Sequence, residues 1–371
     1  MSKAAELANL IGNINAGGGG VNRNVIINGA MNVAQRGTSS TGLGTADGYF
    51  TVDRFSIDMG GTTAGRFTMS QDSSAPSGFA NSLKFECTTA DTSTAADEKL
   101  ILVQAIEGQN LQAFAKGTSD AKPFAVSFYV KGNASATYTC ELFDNDNSRV
   151  NAKTFSVTTD WTRVELTFVA DTTGALDDDN ASSFKIGIIL NAGSNLTGGT
   201  FANGTWTDAS SYSNLRAGSQ SNFFDSTDRT FFITGVQLEV GQNPTEFEHE
   251  PFAVTLKKCY RYFRMYPSRL DTSTYGVIGN GYFFDSSSAF LCIPDVNMRD
   301  GPSMSANGTL KAKVAGNDDC TVTGLTADNL QSNRTSMFID LTTDANGTAG
   351  EGMTIEREGD SDAGLLLDSE L

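Results

Sequence analysis

Apolar and polar positions alternate with a period of two along most of this chain, in short runs set apart by polar gaps. Arg66–Gln71, Ser82–Cys87, Phe124–Val130 and Trp161–Val169 all alternate in this way. The gaps between them are rich in Gly, Ser, Thr, Asn and Asp, which favour turns. Leu100–Ile106 (LILVQAI) is apolar at nearly every position and predicts a strand covered on both faces. Ala136–Phe143 and Val150–Val157 flank the polar stretch DNDNS and predict a hairpin. Upstream, Val25–Ile27 and Met31–Val33 predict short strands around an Asn28-Gly29 turn. Tyr49, Val52, Phe55 and Ile57 predict another. With Lys185–Leu190 and Phe231–Val240 the tally is about ten strands, enough for a two-sheet sandwich of the jelly-roll type.

The pattern breaks after Val240, at Gly241, Asn243 and Pro244, and resumes with the aromatic cluster Cys259, Tyr260, Tyr262 and Phe263. A Gly/Pro break between strand-grade runs predicts a boundary between two β domains. Cys259–Arg264 is expected to be the first strand of the second. Tyr275–Ile278, Tyr282–Phe284, Ala289–Ile293, Leu310–Val314, Thr321–Leu325, Ser336–Leu341 and Met353–Glu358 follow, and predict a small β-sandwich. Helical spacing occurs only in AAELANLIGNI, residues 4–14, where Leu7, Leu10, Ile11 and Ile14 form one narrow apolar stripe. So short a helix is not stable alone in water and must bury its stripe on something else. Gly17–Gly20 then make a flexible tether. The predicted fold is therefore all-β: a jelly-roll sandwich at 23–250, a smaller C-terminal β-sandwich at 251–371, and an N-terminal attachment helix and tether at 1–22.

Composition narrows the partners. The net charge of −17 over 371 residues argues against nucleic acid, since phosphate binding needs clustered Lys and Arg. No apolar run approaches the length of a membrane-spanning helix, so membrane insertion is not expected. Cys87, Cys140, Cys259, Cys292 and Cys320 are odd in number and contain no C-x-x-C pair, which predicts reduced thiols and no zinc site.

Candidate chemistry is sparse. His249, the only histidine, sits beside a proline in FEHEP and reads as a linker residue. Asp144, Asp146 and Ser148 begin a calcium-loop pattern, D-x-D-x-S. Arg149 then stands where that loop needs Gly and Phe155 where it needs Glu, so no metal site and no cofactor are expected. No carboxylate pair for glycoside hydrolysis can be singled out among 43 Asp and Glu, and no catalytic residue is assigned. Sugar binding needs aromatic rings to stack on pyranose faces. The Gly/Ser/Asn-rich stretch 191–222 carries Phe201, Trp206 and Tyr212, which are the candidate glycan-binding residues; the alternative is that these rings pin the loop to the core.

Several runs carry a family resemblance: FAVSFYVKGNASATYTCELFDND, FSVTTDWTRVELTFVA and FFITGVQLEVG. They resemble the jelly-roll, carbohydrate-binding-module-like domains of phage structural proteins. The combination NVIINGAMNVAQRG, YFTVDRF and VQLEVGQNPTEFEHEPFAVTLKKCYRYF is similar to phage tail-fibre and virion-appendage proteins, and PDVNMRDGPS to their C-terminal domains. SKAAELANLIGN resembles the virion-attachment segment of such proteins in marine podoviruses. The resemblance implies a non-catalytic virion protein, assembled in the host cytoplasm as a homotrimer. Its partners would be tail or capsid components and host surface glycan. The alternatives are a capsid-mounted fibre or decoration protein without a receptor role, and a polysaccharide-degrading protein.

Overall fold

The computed structural model describes residue 3 and residues 22–61, 63–210, 216–269, 273–294, 296–314, 319–327, 336–344 and 347–371. The attachment stripe Leu7, Leu10, Ile11 and Ile14 lies outside the described residues, as does Tyr212. The chain forms two compact units, Met1–Thr255 with Leu371, and Leu256–Glu370.

The first unit is built from β1 (Ser39–Leu43), β2 (Gly48–Tyr49), β3 (Ser56–Gly60), β4 (Arg66–Asp72), β5 (Ser82–Thr89), β6 (Lys99–Glu107), β7 (Phe124–Gly132), β8 (Ala136–Asp144), β9 (Arg149–Val157), β10 (Thr162–Phe168), β11 (Ser182–Ala192), β12 (Thr207–Asp208) and β13 (Thr230–Val240). They make a six-stranded sheet, β1-β4-β5-β13-β7-β10, and a seven-stranded sheet, β12-β9-β8-β11-β6-β3-β2. The chain crosses repeatedly from one sheet to the other, as in a jelly roll. Every second residue points inward, so the two sheets share one apolar core. Phe67, Phe85 and Phe128 enter it from the first sheet, and Leu142, Phe184 and Ile186 from the second. Phe124 lies between Phe114 and Phe184, with centroids 4.4 Å and 5.4 Å away and nearly parallel planes. Each such ring contributes roughly 1.5–3 kcal/mol by leaving water.

Val25–Ile27 and Met31–Val33 do not form strands. They run irregularly around a turn in which the Met31 amide donates to the Asn28 carbonyl at 2.9 Å. Asn28 explains why: its side chain donates to the carbonyls of Val33 and Asp53 and accepts from the Asn32 and Val33 amides. These side-chain bonds take backbone groups that a strand ladder would use. Gly29 is required there, because a Cβ would meet the Val236 carbonyl oxygen at 2.1 Å.

The stretch after β13 folds back as a clasp. Buried Glu239 accepts from the Thr245 amide at 2.7 Å and from Gln237 Nε2 at 2.9 Å, and pairs with Arg23 at 3.2 Å. Glu248 accepts from the amides of Asn22 and Asn24. His249 packs its ring on Phe79 and Phe247.

The second unit begins inside a helix, which corrects the strand expected at Cys259–Arg264. Phe252–Tyr260 is helical, and the strand starts later, at β14 (Phe263–Tyr266). Then come β15 (Tyr275–Phe283), β16 (Ser288–Pro294), β17 (Ser303–Asn307), β18 (Leu310–Lys313), β19 (Cys320–Ala327), β20 (Ser336–Thr343), β21 (Gly352–Glu358) and β22 (Gly364–Asp368). The unit is all-β as expected, but its main sheet is closed. β15-β16-β20-β19-β18-β21 form a barrel, and β14-β22-β17 a separate three-stranded sheet. Closure comes from β21, which pairs with β15 on one side and β18 on the other, so the strands leave no free edge. Leu365 and Leu367 of β22 join the barrel core with Ile278, Leu291, Leu341 and Ile355.

Candidate functional site

The outer face of the seven-stranded sheet carries the site. Outward positions along β11 are Lys185, Gly187 and Ile189, alternating with the inward Phe184, Ile186 and Ile188. Register sets their neighbours: Lys185 lies opposite Ala105 and Phe143, and Gly187 opposite Val103 and Glu141. Part of this face is covered by the segment after β11. Leu196 and Ala217 pack on Ile101, Val103 and Ile189, while Ala202 and Ala209 pack on Val150. The uncovered part is a cleft of about 260 Å³. Lys185, Glu141, Phe143 and Val103 belong to the sheet that forms its floor, and Arg216, Ser210, Lys99 and Asp58 also line it. A second depression shares Asp58, Val103 and Lys185 with the cleft and continues it toward Tyr49. Gly187 keeps the floor low: a Cβ there would meet the Glu141 side chain at 2.9 Å.

Both carboxylates in the cleft are engaged by cations. Arg216 donates Nε to Glu141 Oε2 at 2.9 Å and Nη2 to Oε1 at 2.5 Å, a bidentate pair, and lies over the Phe143 ring at 5.1 Å. Lys99 pairs with Asp58 at 2.5 Å. Lys185, a half-buried residue that also lines the cleft, has no hydrogen-bond or ion-pair partner among the described residues. At the rim, Ser210 hydrogen-bonds Asp208 through its side chain and amide, which holds that carboxyl below the usual carboxylate range.

The aromatic candidates fall elsewhere. Trp206 is 8% exposed and belongs to the core, beside Phe124 and Phe184, with Nε1 donating to the Val169 carbonyl at 2.7 Å. Its faces are not open to a sugar, so the expected stacking role is corrected: this ring pins the loop. Phe201 is half-buried and approaches Gly218. The candidate cation ligands are also committed. Asp144 is wholly buried and ion-paired to Lys116 Nζ, while Asp146 accepts from the Asp177 amide at 2.9 Å. An ammonium stands where a metal bound to Asp144 would be. Among the described residues no three His, Cys, Asp or Glu side chains cluster as a metal site.

Exposed aromatic rings do occur, in the second unit. Tyr282 and Phe284, 45% and 47% exposed, form a cluster with Phe290 on the barrel's outer surface, at centroid separations of 5.2–5.8 Å. Their signal in the sequence was Tyr282 and Phe284 standing two apart on one strand face.

No protein-family model matches the chain, and no curated protein matches it. Among solved structures, the strand arrangement has distant likenesses to jelly-roll carbohydrate-binding modules. One is TmCBM61 in complex with β-1,4-galactotriose, at 10% identity and a TM-score of 0.30, over 59% of this chain and 99% of that one. Another is the family 11 carbohydrate-binding module of Clostridium thermocellum in complex with a β-1,3-1,4-mixed-linked tetrasaccharide, at 12% identity and a TM-score of 0.27, over 57% and 98%. A third likeness is to the enzymatically active domain of bacteriophage CBA120 tailspike protein 4, at 11% identity and a TM-score of 0.30, over 59% of this chain and 21% of that one. Likeness at this level assigns no function; the description of the fold rests on the strand pairing itself.

Proposed function

We propose that this chain is a non-catalytic, glycan-binding protein of a phage virion appendage, and that the outer-face cleft of the seven-stranded sheet holds the glycan. The observation that carries this reading is the cleft itself. It is open, lined by polar and charged side chains and built on central strands of the sheet, and its lining offers donors, acceptors and the Phe143 side chain. Its volume is near the lower end of small-ligand sites, about 300 Å³, and it continues toward Tyr49, as a chain-like ligand requires. The same charges argue against hydrolysis. A glycosidase needs one carboxyl that stays protonated to give up a proton. Both carboxylates of the cleft are taken up by cations, Glu141 by Arg216 and Asp58 by Lys99, instead of standing open to a glycosidic oxygen. The virion and homotrimer assignments rest on the sequence resemblance above.

Binding of the full chain to an array of bacterial oligosaccharides, with reducing-sugar release measured alongside, tests the reading. Binding that is lost when Ser210→Trp fills the cleft, without sugar release, is the expected result. No binding to any glycan overturns the glycan reading, and release of reducing ends overturns the non-catalytic one. Mass spectrometry of purified particles tests the virion assignment, and absence of the chain from them overturns it.

A further inference from the structure

We infer that the cleft selects an anionic glycan, one whose sugar carries a carboxylate, sulfate or phosphate, and that Lys185 is the residue that receives the anion. The inference rests on the glycan-binding reading and adds the class of ligand. Three cations and two carboxylates line the cleft. Four of these charges are spent on each other, as Arg216 with Glu141 and Lys99 with Asp58. Lys185 remains, so among the described residues the cleft itself carries one uncompensated positive charge in a chain whose net charge is −17, while its continuation holds Asp47, whose carboxylate accepts from the Met59 amide.

The position of that charge is as informative as its sign. Register places Lys185 on a central strand, next to Phe143 and diagonal to Glu141, whose carboxylate already takes two bonds from Arg216. Lys185 lines both the cleft and its continuation toward Tyr49, so it stands at their junction. Lys185 as a residue is half-buried, and a ligand oxyanion in the cleft would meet its ammonium in a charge-assisted hydrogen bond. A neutral sugar hydroxyl does this less well. The site therefore discriminates by charge, while the paired residues and Phe143 hold the sugar ring.

The test uses the full chain and the array described above, with each acidic glycan beside a neutral counterpart, such as tetragalacturonate beside its methyl ester. Sulfated and phosphorylated sugars are included to separate the three anions. The acidic member of a pair should bind about tenfold tighter or more, a preference that weakens as salt is added. Lys185→Gln should erase the preference while leaving the unfolding midpoint in place, and Lys185→Arg should keep most of it. Equal binding of acidic and neutral members, or a preference that survives in Lys185→Gln, overturns the inference but leaves the glycan reading intact. Silence of every glycan, neutral ones included, overturns both.

Discussion

Lys116→Met is expected to be among the most damaging single changes in the jelly-roll unit. The Lys116 side chain is wholly buried, paired with Asp144 and, at 3.1 Å, with Asp171. It also donates to the carbonyls of Thr173 at 2.9 Å and Gly174 at 2.8 Å, and lies 5.5 Å from the Trp206 ring centre. Arg149 closes the group with two bonds to Asp171, at 2.8 Å and 3.0 Å. Two cations and two carboxylates thus balance where little water reaches. Methionine fills a similar volume but strands Asp144 with only Asn147 donors for company. Breaking a buried pair from one side costs about 3–5 kcal/mol, against about 0–1 kcal/mol for an exposed pair. For a unit of this size each kcal/mol lowers the midpoint by roughly 2–4 °C, so a fall of roughly 6–20 °C is expected. Thermal and urea unfolding measure it. Glu165→Gln, which breaks the exposed Arg163–Glu165 pair, is the control and should cost under about 1 kcal/mol. Lys116→Met with Asp144→Asn should be less harmful than Lys116→Met alone, because the stranded charge goes too. A single-variant cost below about 1 kcal/mol would refute this account of the network.

The same network has a pH signature. Burial pushes the Asp171 carboxyl up, but hydrogen bonds from Arg149, the Thr173 amide and Lys116 outweigh that and hold it below the ordinary range. The folded state then binds this proton less readily than the unfolded chain. Its contribution to stability is present above the unfolded Asp value of about 3.9 and is lost as pH falls through the folded value. Removing the main donor with Arg149→Gln should shrink the acid-dependent part of the stability below about pH 4, relative to the parent chain.

Three more outcomes are expected. Trp206→Ala should cost about 3–5 kcal/mol in unfolding experiments and leave the glycan affinity of the folded fraction unchanged; selective loss of binding with normal stability would restore the stacking role. Gly29→Ala, which places a Cβ 2.1 Å from a backbone oxygen, should lower stability by about 1–3 kcal/mol in the same assay. None of the five cysteines is in a disulfide; half-buried Cys292 should react first with a thiol reagent, while buried Cys87 and Cys140, whose thiols burial pushes up, should react only on unfolding.

Much of the fold was legible because period-two alternation is a direct imprint of a half-buried sheet. β4 to β11 and β13 follow the apolar runs closely, and the LILVQAI strand, apolar on both faces, is covered on both: Leu100, Leu102 and Ile106 enter the main core, and Ile101 and Val103 pack with Leu196 and Ala217. What escaped was written in other terms. Barrel closure depends on which strands pair, and residues 275–358 show only that strands exist. Gly276, Gly279 and Gly281 made one strand, β15, look like two, since Gly interrupts the apolar pattern without interrupting the ladder. The aromatic cluster at 259–263 has strand composition, but Phe252–Tyr260 lies just after a Pro-bounded break and forms a helix whose last turn carries Lys257 and Lys258.

The candidate site was hidden for a different reason, and it bears on how such a site is found. Trp206 drew attention because a large ring in a polar loop looks out of place, yet rings leave water whenever a core lies within reach, and this one reached Phe124 and Phe184. The cleft residues look ordinary in sequence: Lys185, Glu141 and Arg216 are three charges among many. They become a candidate site only through register, which sets Gly187 against Glu141 and so opens the floor, and through pairing, which joins Arg216 to Glu141 and leaves Lys185 unmatched among the described residues. The unmatched charge is a property of the assembled sheet, so the ligand preference it implies belongs to the fold and could not be read from any one segment.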